Sequence, residues 1–259
     1  MKIRHAAVEG SFYPSDIKQL NDMLSEFDKN INIEPGERPK AILVPHAGLL
    51  YSGQTAAFAY KLAQAHDYRS AVIFAPSHRV AFYGMSYAEY DRYESFGIEF
   101  DVNTELGEFL KKKNRLISID KVHEQEHSTE VQLPFIYKYL KNASITVFVY
   151  SEISYREVSY VINDVLDEDR DLVIISSDLS HFLPYDECVK TDENIISGLQ
   201  KLDIDMISKG DACGMTGIKA IALSSKERNL KPEILDYKNS GDISGDRSGV
   251  VGYLSAVFT

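Results

Sequence analysis

Four short runs of apolar residues do most to limit how this chain can fold. They are Ala41-Ile-Leu-Val44, Ala71-Val-Ile-Phe74, Ile145-Thr-Val-Phe-Val149 and Leu172-Val-Ile-Ile175. Runs with no polar alternation belong to strands covered on both faces. Amphipathic stretches separate them. Ile17, Leu20, Leu24 and Phe27 share one helical stripe after the start signal Pro14-Ser15-Asp16, and Val158, Val161, Ile162 and Val165 share another. Helices are also expected over the Ala-rich residues 54–65, over 187–201 and over 216–228. This alternation predicts an α/β fold. We expect one three-layer αβα domain over residues 1–259, with a mostly parallel or mixed central sheet. The strands ending at 44, 74 and 175 should be neighbours. Residues 85–90 and 98–102 read as a weaker strand pair, and Val250–Phe258 as a further strand. Residues 30–40, with Pro35, Gly36 and Pro39, read as a loop.

A chain of 259 residues can bury about three-quarters of its unfolded surface, so it needs no covalent staple. Its two cysteines, Cys188 and Cys213, are too few for a disulfide framework. Lys plus Arg total 28 against 39 Asp plus Glu, a net charge of −11. Nucleic acid is not expected as a partner, because a broad nucleic-acid surface needs a basic face to displace counterions. Neither a signal-type run near the start nor a membrane-spanning apolar stretch is present, so a soluble, cytoplasmic protein without membrane association is expected.

The chemistry is carried by where the histidines sit. His46 follows the first buried run in Val44-Pro45-His46-Ala47-Gly48, and His78 follows the second in Phe74-Ala75-Pro76-Ser77-His78. Asp178 and His181 follow another in Ser176-Ser177-Asp178-Leu179-Ser180-His181. In open α/β sheets ligands collect outside the carboxyl ends of the strands. If these strands are parallel neighbours, three histidines meet at one crevice. His5, His66 and His123 have no such setting and read as structural or surface residues.

A second cluster, Glu124-Gln125-Glu126-His127-Ser128-Thr129-Glu130, opens a helix. Ser128, Thr129 or Glu130 can serve as its cap, and this is the favoured reading. In the functional one, His127 and Glu130 share a helix face. The zinc motif His-Glu-x-x-His is not met, because the second histidine is missing. Cys213 lies in Gly210-Asp-Ala-Cys-Gly-Met-Thr-Gly217, just before an apolar helix whose N–H groups would favour a thiolate. Cys188 sits mid-helix and reads as an inert core thiol. Gly241-Asp-Ile-Ser-Gly-Asp246 superficially looks like a serine-protease loop, but its spacing is wrong and no G-x-S-x-G elbow exists. Walker and G-x-G-x-x-G patterns are absent too.

Taken in order, these motifs resemble the Memo family, the proteins described as AmmeMemoRadiSam system protein B. The matching pieces are Ala7-Val-Glu-Gly-Ser-Phe-Tyr-Pro14, Val44-Pro-His-Ala-Gly48 with Tyr51 to Gly53, and Ala75-Pro-Ser-His78. They continue with Glu126-His-Ser-Thr-Glu130 and Val131-Gln-Leu-Pro134, Ser176-Ser-Asp-Leu-Ser-His181, Cys213-Gly214 and the closing Gly241 to Ser255. The resemblance implies the fold of class III extradiol dioxygenases and one metal ion held by His46, His78 and Cys213. Iron or copper is favoured over zinc. His181 falls where those dioxygenases keep an acid–base histidine, and Asp178 and His127 would line the pocket or support it. Where the dioxygenases use a carboxylate, this pattern uses a softer thiolate, so ring cleavage does not follow from the fold. Metal-dependent redox chemistry on a small molecule or peptide is the leading expectation, with association with a radical-SAM protein implied by the family. A metal- or peptide-binding scaffold without turnover is the alternative. A hydrolase using metal-bound water ranks lower, since no general base stands out beside the site. If the metal reading holds, the three donor atoms should lie within about 4 Å of one another.

Overall fold

Burial divides the four apolar runs between two faces of one sheet. In the computed structural model, which describes residues 1–34 and 36–259, all four strands are buried on both sides. Pro35, part of the expected loop, lies outside the described residues. Ile42, Val44, Ile73, Ala75, Val147 and Ile174 face a core closed by the helices Ile17–Lys29, Leu49–Ala63 and Leu133–Tyr139. Their neighbours Leu43, Phe74, Phe148 and Ile175 face a second core under Tyr155–Leu166, Tyr185–Lys201 and Met215–Arg228. Alternate residues of a strand point to opposite faces, so one sheet serves both cores. This is the expected three-layer α/β sandwich.

The strands, in chain order, are β1 (Ile3–His5), β2 (Ala41–Val44), β3 (Ser70–Pro76), β4 (Met85–Tyr87), β5 (Arg92–Ser95), β6 (Ile98–Asp101), β7 (Ser144–Tyr150), β8 (Asp171–Ser176), β9 (His181–Leu183), β10 (Pro232–Asn239) and β11 (Val250–Phe258). The main sheet runs β10-β11-β2-β8-β3-β7-β4, with β9 alongside β11. Its centre, β2-β8-β3-β7, is parallel, while β4, β10 and β11 are antiparallel to their neighbours. Val44 lies opposite Ser176, and Phe74 opposite Ile175. The strands carrying His46, Asp178 and His78 therefore stand side by side and end together.

Local chemistry sets the helix starts. The Asp16 carboxylate accepts the Gln19 N–H at 2.9 Å, and Ser154 with Glu157 forms a reciprocal cap. The Ala-rich helix begins at Leu49, five residues before the expected start, because the chain enters it directly from Gly48. The expected pairing of residues 85–90 with 98–102 is wrong. β4 joins the edge of the main sheet through β7, and β6 pairs with β5 in a separate sheet, β1-β5-β6. The reason is a tight hairpin: Phe96 and Gly97, with φ of 41° and 74°, connect β5 to β6 through the left-handed conformations such turns require. Among the described residues, no helix is long and apolar enough to cross a membrane.

Candidate metal centre

His46 and His78 each lie two residues beyond a parallel strand, and Cys213 stands just before the helix Met215–Arg228. The ligand-capable atoms of these three residues all lie within 4.8 Å of one another. The Cys213 Sγ is 3.2 Å from His46 Nε2, and the His46 and His78 ring centroids are 5.1 Å apart. His46 is fully buried, while the His78 side chain is partly open to solvent.

The surroundings decide which nitrogen each ring offers. The Ser176 hydroxyl donates to the Ser128 carbonyl at 2.6 Å and accepts from Gln132 Nε2 at 2.9 Å. With its proton committed, its oxygen can only accept from His46 Nδ1, 2.8 Å away. That leaves the lone pair of His46 on Nε2, facing Cys213. Gln132 also binds the Pro45 carbonyl and the Tyr60 hydroxyl, so the loop leaving β2 is braced from behind.

Glu126 does the same for His78. Its Oε1 receives the ring Nδ1–H at 2.9 Å and its Oε2 receives the backbone N–H at 2.6 Å. Burial alone would raise the carboxyl pKa, but the bond and charge of His78 outweigh it and hold Glu126 at about 2. An ionised acceptor on Nδ1 again places the lone pair on Nε2. Sequence reasoning gave Glu126 and Ser176 no role. For Glu126 the available signal was an acid directly preceding a histidine at a helix start.

Burial, reinforced by the neighbouring charges of His78, His127 and His181, keeps the His46 pKa well below its usual value, so His46 is neutral. The expectation of a thiolate favoured by the helix start does not hold. Burial, with the Asp178 carboxylate adding to it, pushes the Cys213 thiol up to about 12. The Gly214 N–H, which opens that helix, donates to Ser177 Oγ at 2.8 Å. The fold thus presents two imidazole lone pairs and one thiol whose proton a bound cation would displace. This donor set fits a metal ion of borderline or soft character.

Asp178 does not close its turn on His181. Its Oδ1 accepts the backbone N–H groups of His46 and Ala47 at 2.7 and 3.2 Å, tying β8 to the β2 loop. Burial raises the Asp178 pKa to about 6, opposed chiefly by the His46 N–H and by His181. The turn is closed from the other side. Leu179 N donates to the Gly252 carbonyl at 2.8 Å, Gly252 N to the Ser180 carbonyl at 3.0 Å, and Ser180 N to the buried Asp192 carboxylate at 3.0 Å. His181 lies opposite Val251 of β11. The next residue, Phe182, is in the left-handed region (φ 59°) with its ring exposed.

His127 joins the cluster, its ring centroid 4.6 Å from that of His78 and 5.4 Å from that of His46. Glu130, expected on the same helix face, points away. It is buried, pairs with the Arg4 guanidinium and accepts from Ala7 N, Val8 N and the Tyr13 hydroxyl. The cap of the short helix His127–Glu130 is Glu126, which accepts Ser128 N, rather than Ser128, Thr129 or Glu130. His123 is buried on Ser86, and His5 lies outside the cluster, paired with Glu94. Cys188 is buried against Ser180, Asp192 and Tyr237, a core setting.

Fold and site together define a three-layer α/β protein whose central strands and one helix start bring together a His/His/Cys group able to hold a metal. The model of Memo-like proteins matches residues 4–257, and the chain belongs to the Memo family. A MEMO1 family protein of Aquifex aeolicus (strain VF5) is 34% identical, with 100% of each chain covered. Relatives described the same way from Metallosphaera sedula and Thermoplasma volcanium are 34% and 33% identical, over 99% and 98% of each chain. Among solved structures, an uncharacterized protein of Escherichia coli K12 aligns with a TM-score of 0.56 at 11% identity. The match covers 85% of this chain and 100% of that one, and at such identity it shows the fold alone.

Proposed function

We propose that this protein is a metal-dependent redox enzyme whose ion is held by His46, His78 and Cys213. The observation that carries this reading is the approach of Cys213 Sγ to His46 Nε2 at 3.2 Å, with His78 completing the group. A thiolate beside two imidazoles suits copper or iron, and both can exchange single electrons, which zinc cannot. When bound, the ion would supply a redox centre able to take up dioxygen or a related small oxidant together with a substrate donor atom.

The chain's own residues do the rest. Ser176 and Glu126 hold the two imidazoles in the tautomer that offers Nε2. His181, on β9 beside β11, serves as the acid–base group for the substrate, since an imidazole can accept and return a proton near neutrality. Asp178 fixes the His46 loop through two backbone bonds. The substrate is a small molecule or a peptide end, and a radical-SAM protein is a functional partner in this reading.

The test is metal analysis of protein purified without added metal, beside Cys213→Ala, followed by oxygen uptake with candidate reductants. About one iron or copper per chain, with thiolate-to-metal charge-transfer absorption that Cys213→Ala abolishes, supports the reading. Metal-loaded protein whose absorption is the same with and without Cys213 would remove it.

A further inference from the structure

We propose that His78, Glu126 and His127 form a second cation position, overlapping the first through His78. Their ligand-capable atoms also lie within 4.8 Å of one another. They converge on Glu126 Oε1, which lies 2.9 Å from His78 Nδ1 and 3.3 Å from His127 Nδ1. The latter contact makes no hydrogen bond, and His127 Nδ1 is buried without a hydrogen-bond partner. An orphaned buried ring nitrogen destabilises the fold. A cation between the two rings and the carboxylate would satisfy it. The His78 side chain is 26% exposed and that of His127 15%, while that of Glu126 is fully buried.

The donor chemistry names the class of ion. Two imidazoles and a carboxylate without sulfur suit a divalent cation harder than the partner of a thiolate, such as Fe(II), Co(II) or Mn(II). His78 also makes the two positions alternatives. A neutral imidazole has one lone pair. With Nδ1–H on Glu126, that lone pair is on Nε2 and serves the His46/Cys213 side. In the other tautomer it is on Nδ1 and serves the Glu126/His127 side. One ring therefore serves one ion at a time, and a soft or a harder metal would select between the positions. Packing of His127 on Phe12, with ring centroids 5.0 Å apart, accounts for where the imidazole lies but leaves its Nδ1 unsatisfied.

Co(II) titration of four folded proteins, matched by circular dichroism, tests the assignment. Wild type should show thiolate-to-Co(II) charge-transfer absorption. Cys213→Ala should lose that band and still bind one Co(II). Adding His46→Ala to it should leave Co(II) bound, whereas adding His127→Gln should weaken binding at least about tenfold. Equal Co(II) binding by Cys213→Ala and Cys213→Ala/His127→Gln would overturn the second position. So would loss of binding in Cys213→Ala/His46→Ala. Wild type lacking the charge-transfer band would count against the thiolate site alone, since the comparison of the double variants does not involve sulfur.

Discussion

A single carboxylate, Glu126, grips His78 twice, taking its ring N–H on one oxygen and its backbone N–H on the other. The histidine is thereby fixed in position and in tautomer by a residue 48 positions away in sequence. Ser176 plays the corresponding part for the ring of His46, with Asp178 holding that residue's backbone. Both imidazoles are set before any ion arrives, so binding need not order them.

Glu126→Gln follows from this directly. An amide can still accept one bond but carries no charge, and its NH₂ group competes for the wrong orientation. Metal affinity at His46, His78 and Cys213 should fall about 10–100-fold, the usual cost of losing such a support. Competition with a chelator of known affinity measures it. A change below about twofold in a protein that melts normally would mean that Glu126 only caps the helix His127–Glu130.

Gly252 should tolerate no side chain. A Cβ there would sit 1.9 Å from Asp192 Oδ2 and 3.1 Å from Leu179 Cβ. Asp192 cannot swing aside freely, because Tyr237 and Cys188 hold that same oxygen and Ser180 N holds the other. Gly252→Ala should therefore destabilise the protein by about 1–3 kcal/mol, the cost of overpacking a filled core. It should also displace the turn carrying Asp178 and His181. An unchanged melting temperature would show that Asp192 repacks at little cost.

The parallel centre of the sheet was legible because its four strands carry apolar residues on both faces, leaving no other way to bury them. The convergence of His46, His78 and Asp178 followed, since each stands just beyond one of those strands. What periodicity could not give was anything settled by long-range pairing. β4 and β6 look alike as short runs, yet the turn at Phe96-Gly97 claims β6 for β5, and the free edge of β7 claims β4. The tautomer-setting roles of Glu126 and Ser176 were hidden for the same reason, as each acts on a histidine brought close only by folding. Cys213 was found by its motif, but its raised pKa was not, because burial by distant elements outweighs the helix start beside it.

Buried His123 predicts how stability responds to acid. Burial, with Arg4 adding to it, lowers its pKa from 6.5 to about 3. The unfolded chain thus binds the proton more readily, and a group depressed in the fold stabilises it fully only above the unfolded value. Its contribution is present above about pH 6.5 and is lost progressively as pH falls toward 3. Between pH 7 and pH 5 this one residue should account for about 2 kcal/mol of lost stability. Denaturant unfolding of wild type and His123→Gln at both pH values isolates it, since buried His46 and half-buried His127 remain in each protein. Parallel losses in the two proteins would show that His123 titrates normally.

His181 separates binding from turnover. It stands on β9, held opposite Val251 of β11, and makes no hydrogen bond to His46 or Asp178. The three residues that converge as ligands do not include it. His181→Ala should therefore keep its metal content within about twofold of wild type, while removing the group that would move a proton to or from a bound substrate. Loss of such a group typically costs about 10²–10⁴-fold in rate. Metal analysis and oxygen uptake on the same preparation check both halves. Metal lost with the imidazole would make His181 a ligand, and full turnover without it would leave it as a structural residue of the turn that Asp192 and Gly252 close.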